Sequence, residues 1–155
     1  MALTKVQSEM GQSNAPTFSA WLAADQSVTS GVDTKLQFAT EEWDTNSNFN
    51  NTGSTVGSNP SYSFLPTIAG YYQVVASVYP NTAVSFAQAA IYKNGSLYKR
   101  GFSSSTNGIG QISCLVYLNG TTDYISCYGN VSGISPVVSL STNLTWFSAS
   151  MVRPA

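Results

Sequence analysis

Apolar residues along this chain recur at every second position, and no helical period of 3.6 is sustained, so the pattern predicts strands throughout. The clearest run is Tyr71–Tyr79, rich in Val and Tyr and free of Pro and Gly, with Pro66 and Gly70 fencing the connection before it. Its period places Tyr72, Val74, Ala76 and Val78 on one face, which reads as core, and Tyr71, Gln73, Val75, Ser77 and Tyr79 on the other. Further strands are expected at 18–23, 35–40 (running into Glu41-Glu42-Trp43-Asp44), 84–92, 97–102, 109–118, 123–128, 137–140 and 144–152. Asn94-Gly95 carries the positive-φ pair of a two-residue hairpin, and Asn119-Gly120-Thr121-Thr122 reads as a second hairpin turn. Loops are expected at 45–59, which is Asn, Ser, Thr and Gly almost throughout, at 103–108 and at 129–136. Residues 1–15 are polar and read as a docking arm, leaving 16–155 as one domain. Many short strands between turn signals make an all-β sandwich or barrel.

Antiparallel strands alternate direction, so their connections alternate ends. The Pro66, Asn94-Gly95 and Asn119-Gly120 connections fall at one end, and 79–83, 103–108 and 129–136 fall at the other. If the first strand starts at the tight-turn end, the arm attaches there and the longer loops point away.

Register then separates an inward set from an outward set. Cys114, Val116, Leu118, Ile125, Cys127, Ile91, Ala89, Tyr72 and Val74 point inward. The outward set holds Tyr71, Val75, Tyr79, Phe86, Ala90, Tyr92, Leu115, Tyr117, Tyr124 and Tyr128, where a water-facing sheet alternates to charged and small polar residues. An aromatic surface of that kind marks an interface. Strand propensity alone accounts for a few of these tyrosines, not for the set.

Charged residues make up 8% of the chain against about 25% in an average protein. A net charge of −1 with six Lys and Arg offers no footprint for nucleic acid and no polybasic membrane patch. No stretch has the length of a membrane span, and the N-terminus has no apolar signal region, so synthesis in a cytosol is expected, or removal of an upstream leader. Five Asn-X-Ser/Thr matches are what so Asn- and Thr-rich a sequence gives by chance. Counting outwards from the Asn119-Gly120 turn pairs Cys114 with Cys127 as cross-strand neighbours; a disulfide and two buried thiols are both open, and a reducing assembly site favours the thiols.

Chemistry is sparse. The chain has no histidine, which removes the commonest general base and metal ligand, and no phosphate-binding fingerprint. Glu42 and Asp44 alternate onto one face, as a glycosidase pair would require, but a solvated acidic edge at the mouth of a polar loop is the better reading. No cofactor and no metal are expected; Glu41, Glu42 and Asp44 lack the spacing of a dedicated calcium loop. Lys99-Arg100 reads as a solvated strand end that discourages edge pairing.

One ordered set of residues adds to this reading. Phe38, Asp44, Phe49, Phe64, Gly70 and Tyr72, with Phe18-Ser19-Ala20 before them and Phe147-Ser148-Ala149-Ser150-Met151 after, resemble the signature of the complement C1q-type globular head, a tumour-necrosis-factor-like jelly roll. The Phe49-to-Phe64 spacing is longer than in that family, implying an inserted loop, Val74 and Ala76 stand where aromatics are usual, and the match at Asp44 implies a structural role, capping the turn that follows. The resemblance implies a jelly-roll sandwich of about ten antiparallel strands and a homotrimer, with Tyr71, Val75, Phe86, Tyr92, Leu115, Tyr117, Tyr124 and Tyr128 as expected interface residues.

The opening Ala2-Leu3-Thr4-Lys5-Val6 and the Asn/Ser/Thr-rich style are similar to C1q-like domains of phage tail and head fibres, which implies a non-enzymatic virion adhesin, made in the host cytoplasm and docked by its N-terminal arm. Tyr79, Asn81, Asn107, Asn130 and Ser132 are the expected distal contacts to a host-surface glycan or protein. The alternative is a structural capsid decoration or fibre cap with no receptor.

Overall fold

The computed structural model describes residues 15–106 and 108–155, the side chains of residues 103–105 excepted. In chain order its strands are β1 (Thr17–Trp21), β2 (Gln26–Ser27), β3 (Thr34–Lys35), β4 (Thr40–Asp44), β5 (Phe49–Asn50), β6 (Ser63–Phe64), β7 (Gly70–Val78), β8 (Val84–Lys93), β9 (Ser96–Ser105), β10 (Gly110–Leu118), β11 (Ile125–Gly133), β12 (Val137–Val138) and β13 (Trp146–Pro154). No helix occurs among the described residues. One sheet runs β4-β1-β13-β7-β10 and the other β5-β6-β11-β8-β9, with β3 sharing the flank of β11 that carries β6. Every pairing is antiparallel, and the sheets join where β9 meets β10 at one register position, Phe102 opposite Gln111. Gly101 makes that approach possible, because a Cβ there would lie 1.9 Å from the carbonyl oxygen of Gln111.

The expected core face of the central strand is the observed one: Tyr72, Val74, Ala76 and Val78 of β7 are fully buried. Across from them the aromatic signature residues gather between the sheets. Phe18 stacks on Phe49 and Phe64 at centroid distances of 4.5 and 4.6 Å and meets Phe147 edge-on at 4.9 Å. Phe64 in turn meets Tyr72 edge-on at 5.6 Å, and the Tyr72 hydroxyl donates to the Ile68 carbonyl at 2.7 Å. These rings come from both sheets, so the cluster is what holds the layers together.

The Asn94-Gly95 turn forms as the dipeptide requires, with φ of 53° and 78°. The Asn119-Gly120 turn does not make a hairpin. Asn119 Oδ1 accepts from the amides of Thr121, Thr122 and Asp123, but the chain leaving that turn crosses from one sheet to the other. Cys114 therefore lies opposite Val74 and Cys127 opposite Ile91, in different sheets, and both thiols are free. β11 also continues to Gly133, so Asn130 and Ser132 lie in a strand and not in a loop.

The polar run at 45–59 is ordered by asparagines. Asp44 caps its start by accepting from the amides of Asn46 and Phe49 at 3.3 and 2.7 Å, and buried Asn50 donates to the carbonyls of Ser54, Asn59 and Pro60. Asn48 holds the far end, its main-chain carbonyl accepting from the Leu65 amide and its Oδ1 from the Thr67 amide. The loop's backbone is satisfied by side-chain amides instead of a ladder.

Because Phe18 touches rings from β5, β6 and β13, Phe18→Ala should cost about 3–5 kcal/mol of stability. Half-exposed Val32→Ala should change it by less than about 0.5 kcal/mol. Urea denaturation at one fixed protein concentration compares the two.

Candidate functional site

The outward surface of the first sheet carries aromatic side chains at both ends, with Arg153 beside Tyr71 at one of them, and uncharged residues between. Register places Tyr71 beside Tyr117, Gln73 beside Leu115, Val75 beside Ser113, and Ser77 beside Trp146. Tyr71, Leu115 and Tyr117 are each more than two-fifths exposed. Gln73 donates to the Ser113 hydroxyl at 2.9 Å, so the polar middle of this face pairs with itself and asks little of water. Trp21, Trp43 and Trp146, all the tryptophans of the chain, also lie on this face. They were missed among the expected interface residues, although each falls in antiphase to the core positions Phe18, Ala20 and Phe147.

Beside this face runs β9, an open border of the sandwich. Leu97, Tyr98 and Phe102 are 46%, 38% and 78% exposed, an unusual burden for a strand joined to neighbours on both sides. Lys99 sits over the Tyr98 ring at 5.6 Å from its centroid, and the Tyr98 hydroxyl donates to the Leu115 carbonyl at 3.2 Å. An apolar face thus adjoins a projecting apolar edge.

The expected interface residues do not form one patch. Tyr71, Val75, Leu115 and Tyr117 lie on the first sheet, whereas Phe86, Tyr92 and Tyr128 lie on the opposite outer surface, on β8 and β11, and Tyr124 sits by the Asn94-Gly95 turn. Periodicity separates inward from outward but cannot say which of two sheets a strand joins. Ala90, expected outward, is fully buried because Arg100 and Tyr128 flank it in the register.

On that second surface the tyrosines serve an ion pair. Arg100 grips Asp33 bidentately, Nη1 to Oδ1 at 2.7 Å and Nη2 to Oδ2 at 2.5 Å, so it is not the free strand end expected of it. Asn130 Nδ2 donates to Asp33 Oδ1 at 2.8 Å, the Tyr92 hydroxyl donates to Oδ2, and the Tyr92 and Tyr128 rings stack at 3.9 Å. The Arg100 hydrogen bonds, against partial burial and with help from Tyr92 and Asn130, hold the Asp33 carboxyl down at about 2. Burial and the bond to Asp33 push Tyr92 up to about 12. Asn130 Nδ2 is thereby engaged by Asp33.

The other expected contacts separate. Tyr79 and Asn81 lie beyond β7 at the long-loop end, where Asn81 Nδ2 donates to Asp25 and the Asn81 amide to the Val137 carbonyl. Ser132 pairs with Phe86, and its carbonyl accepts from the Ser85 hydroxyl. Asn107 lies outside the described residues. The acidic pair also changes identity: a bulge between Ser19 and Ala20 pairs Asp44 with Phe18 and Glu41 with Ala20, which puts Glu41, not Glu42, on the face of Asp44. Burial, with the Asp44 charge, raises the Glu41 carboxyl. Asp44 is spent on capping, which leaves Glu41 without a second free carboxylate on that face. Among the described residues no group of three or more His, Cys, Asp or Glu could hold a metal ion.

Two antiparallel sheets closed over an aromatic core, with the chain crossing between them after β10, define a jelly roll of the C1q/TNF-like fold. The chain is similar to murine APRIL, with a TM-score of 0.67 and 11% identity over 90% of this chain and 100% of that one. It is similar also to the globular domain of zebrafish complement 1qA protein, with a TM-score of 0.56 and 12% identity over 92% and 100%. PRD1 vertex protein P5 matches with a TM-score of 0.59 and 15% identity over 90% and 96%. No protein-family model and no curated protein matches the sequence. At these identities the likeness is one of fold.

The Asp33 carboxyl sits below its ordinary value of 3.8 only in the folded state, so its contribution is complete above about pH 4 to 5 and is lost as pH falls towards 2. Melting temperature measured from pH 6 to pH 2 should fall more steeply for the wild type than for Asp33→Asn. Equal slopes would mean that the pair contributes nothing.

Proposed function

We propose that the chain is a non-enzymatic, homotrimeric display domain of a virion appendage, an adhesin whose far end meets a host-surface glycan or protein. The observation that carries this reading is the polarity of the sandwich. β1 starts beside the end of β13, where the Met151 amide donates to the Pro16 carbonyl, and the Ala155 amide donates to Ala69 at the same end. Both termini of the domain therefore leave among the tight turns, and the connections at 79–83 and 133–136 stand at the opposite end. A domain attached below by residues 1–15 presents those connections outward.

Assembly follows from two unlike surfaces. A three-fold ring requires a heterologous contact, in which one patch of each copy meets a different patch of the next. The exposed Phe102 and Leu97 of β9 supply one patch, and the face carrying Tyr71, Leu115 and Tyr117 supplies the other. The resemblance to C1q-type heads supports closure at three. Sites of weak affinity then act together.

The likeness to a PRD1 vertex protein favours a second reading within the same setting, a particle component whose function lies in the attached end and not in a receptor. Cell binding separates the two. Full-length protein and a form without residues 1–15 should both bind host cells if the domain is an adhesin; binding to particles alone, and only with the arm, would leave the structural reading. Sedimentation should return three times the chain mass. Phe102→Asp should shift it to the monomer, and a trimer unaffected by that substitution would remove β9 from the interface.

A further inference from the structure

A concave, polar depression of about 360 Å³ lies where the chain leaves β1, walled by residues 23–27 and by Gln37, Ala39 and Tyr62. That volume is at the lower end of the range for small-ligand sites, about 300–1,000 Å³, and suits a single sugar ring. Three small apolar side chains, Ala23, Ala24 and Ala39, line it together with one aromatic, Tyr62, while Asp25 and Gln37 supply the polar groups. Gln26 fixes the two walls, its Nε2 donating to the Lys35 carbonyl and its Oε1 accepting from the Gln37 amide, both at 2.9 Å. The Gln37 side chain itself is exposed and bonds to no other group among the described residues.

Two features set this depression apart from an ordinary surface dent. Tyr62 holds φ at +49°, a conformation that bulky side chains rarely adopt and that costs on the order of 1–3 kcal/mol, and such outliers cluster at ligand sites. Asp25 is also shared with the far end of the sandwich: its Oδ1 accepts from the Leu140 amide at 2.7 Å and its Oδ2 from Asn81, which lines a second depression with Tyr79 and Thr82. The two hollows therefore meet at the Asp25–Asn81 pair.

Resting on the adhesin reading, we infer that the depression at Tyr62, Asp25 and Gln37 is its carbohydrate site and takes a neutral hexose or N-acetylhexosamine residue. Such a ring has an apolar C–H surface and hydroxyls that both donate and accept. Alanine methyls and an aromatic side chain match the first; a carboxylate that accepts and a primary amide that does both match the second. A phosphorylated or strongly acidic sugar is disfavoured, because the only charge lining the hollow is the Asp25 carboxylate.

Protein carrying ¹³C-labelled alanine methyls, titrated with glucose, galactose, mannose and N-acetylglucosamine, tests this directly. At least one sugar should shift Ala23, Ala24 and Ala39 while leaving the core methyls of Ala89 and Ala90 in place. Ala24→Leu, which fills the hollow from an exposed position, should abolish the shifts, and Gln37→Ala should weaken binding about tenfold. No shift with any of the four sugars, or an Ala24→Leu variant that titrates like the wild type, overturns the inference. Host-cell binding run alongside separates the two claims: cell binding retained by Ala24→Leu removes the site and leaves the adhesin, whereas a wild type that binds neither cells nor sugars removes both.

Discussion

The contact on which the structure turns is the Phe18 ring, stacked on Phe49 and Phe64 and met edge-on by Phe147, all within 5 Å and drawn from both layers. A sandwich whose polar surface carries so little charge has few long-range forces to align its sheets. Burial and ring geometry must do it, and the rings are spread along the chain from Phe18 to Phe147, so closing the cluster fixes the topology of everything between. Nearly all the ladders are consequently non-local in sequence, and β8 with β9 is the one long hairpin that can form by itself.

That dependence explains what was legible. Core phenylalanines, the inward face of β7, the Asp44 cap and the Asn94-Gly95 turn are each written in local chemistry: burial, period, a carboxylate before two free amides, a positive-φ dipeptide. The partner of a strand is written nowhere locally. Asn119-Gly120 has the composition of a hairpin turn and caps itself like one, yet β10 and β11 pair with β7 and β8 instead of with each other. One such crossover moved Cys127 to the other sheet and divided the outward tyrosines between two surfaces. The bulge that replaced Glu42 by Glu41 is a second case, since one extra residue inverts every later side chain on the strand.

The division has a functional consequence. Tyrosines on the second sheet stand in a network with Asp33 and Arg100, where stacking and hydrogen bonds account for their presence. Those on the first sheet, Tyr71 and Tyr117, meet each other at 5.5 Å, with Lys93 at 5.7 Å from the Tyr117 ring centroid, and both remain more than two-fifths exposed. Uncovered apolar area on that face, next to β9 with Leu97, Tyr98 and Phe102 exposed, gives each copy two unlike patches, which is what the heterologous contact of the proposed ring requires.

Scarcity of charge also constrains how such a molecule recognises anything. Of the five basic residues in the described structure, Arg100 is bound to Asp33, Lys93 to Asp123 at 2.8 Å, and Lys35 to the Ser63 hydroxyl at 3.1 Å, where burial lowers its affinity for a proton, which leaves Lys99 and Arg153. Little charge is left to steer a partner from a distance, so association has no strong electrostatic acceleration and little sensitivity to salt. Contact must be made by amides, hydroxyls and rings at short range. Each such contact is weak in water because the exchange with solvent is nearly even. In the proposed trimer, affinity would come from several copies engaging at once, which would tie the value of a distal site to contacts made through the apolar face below it.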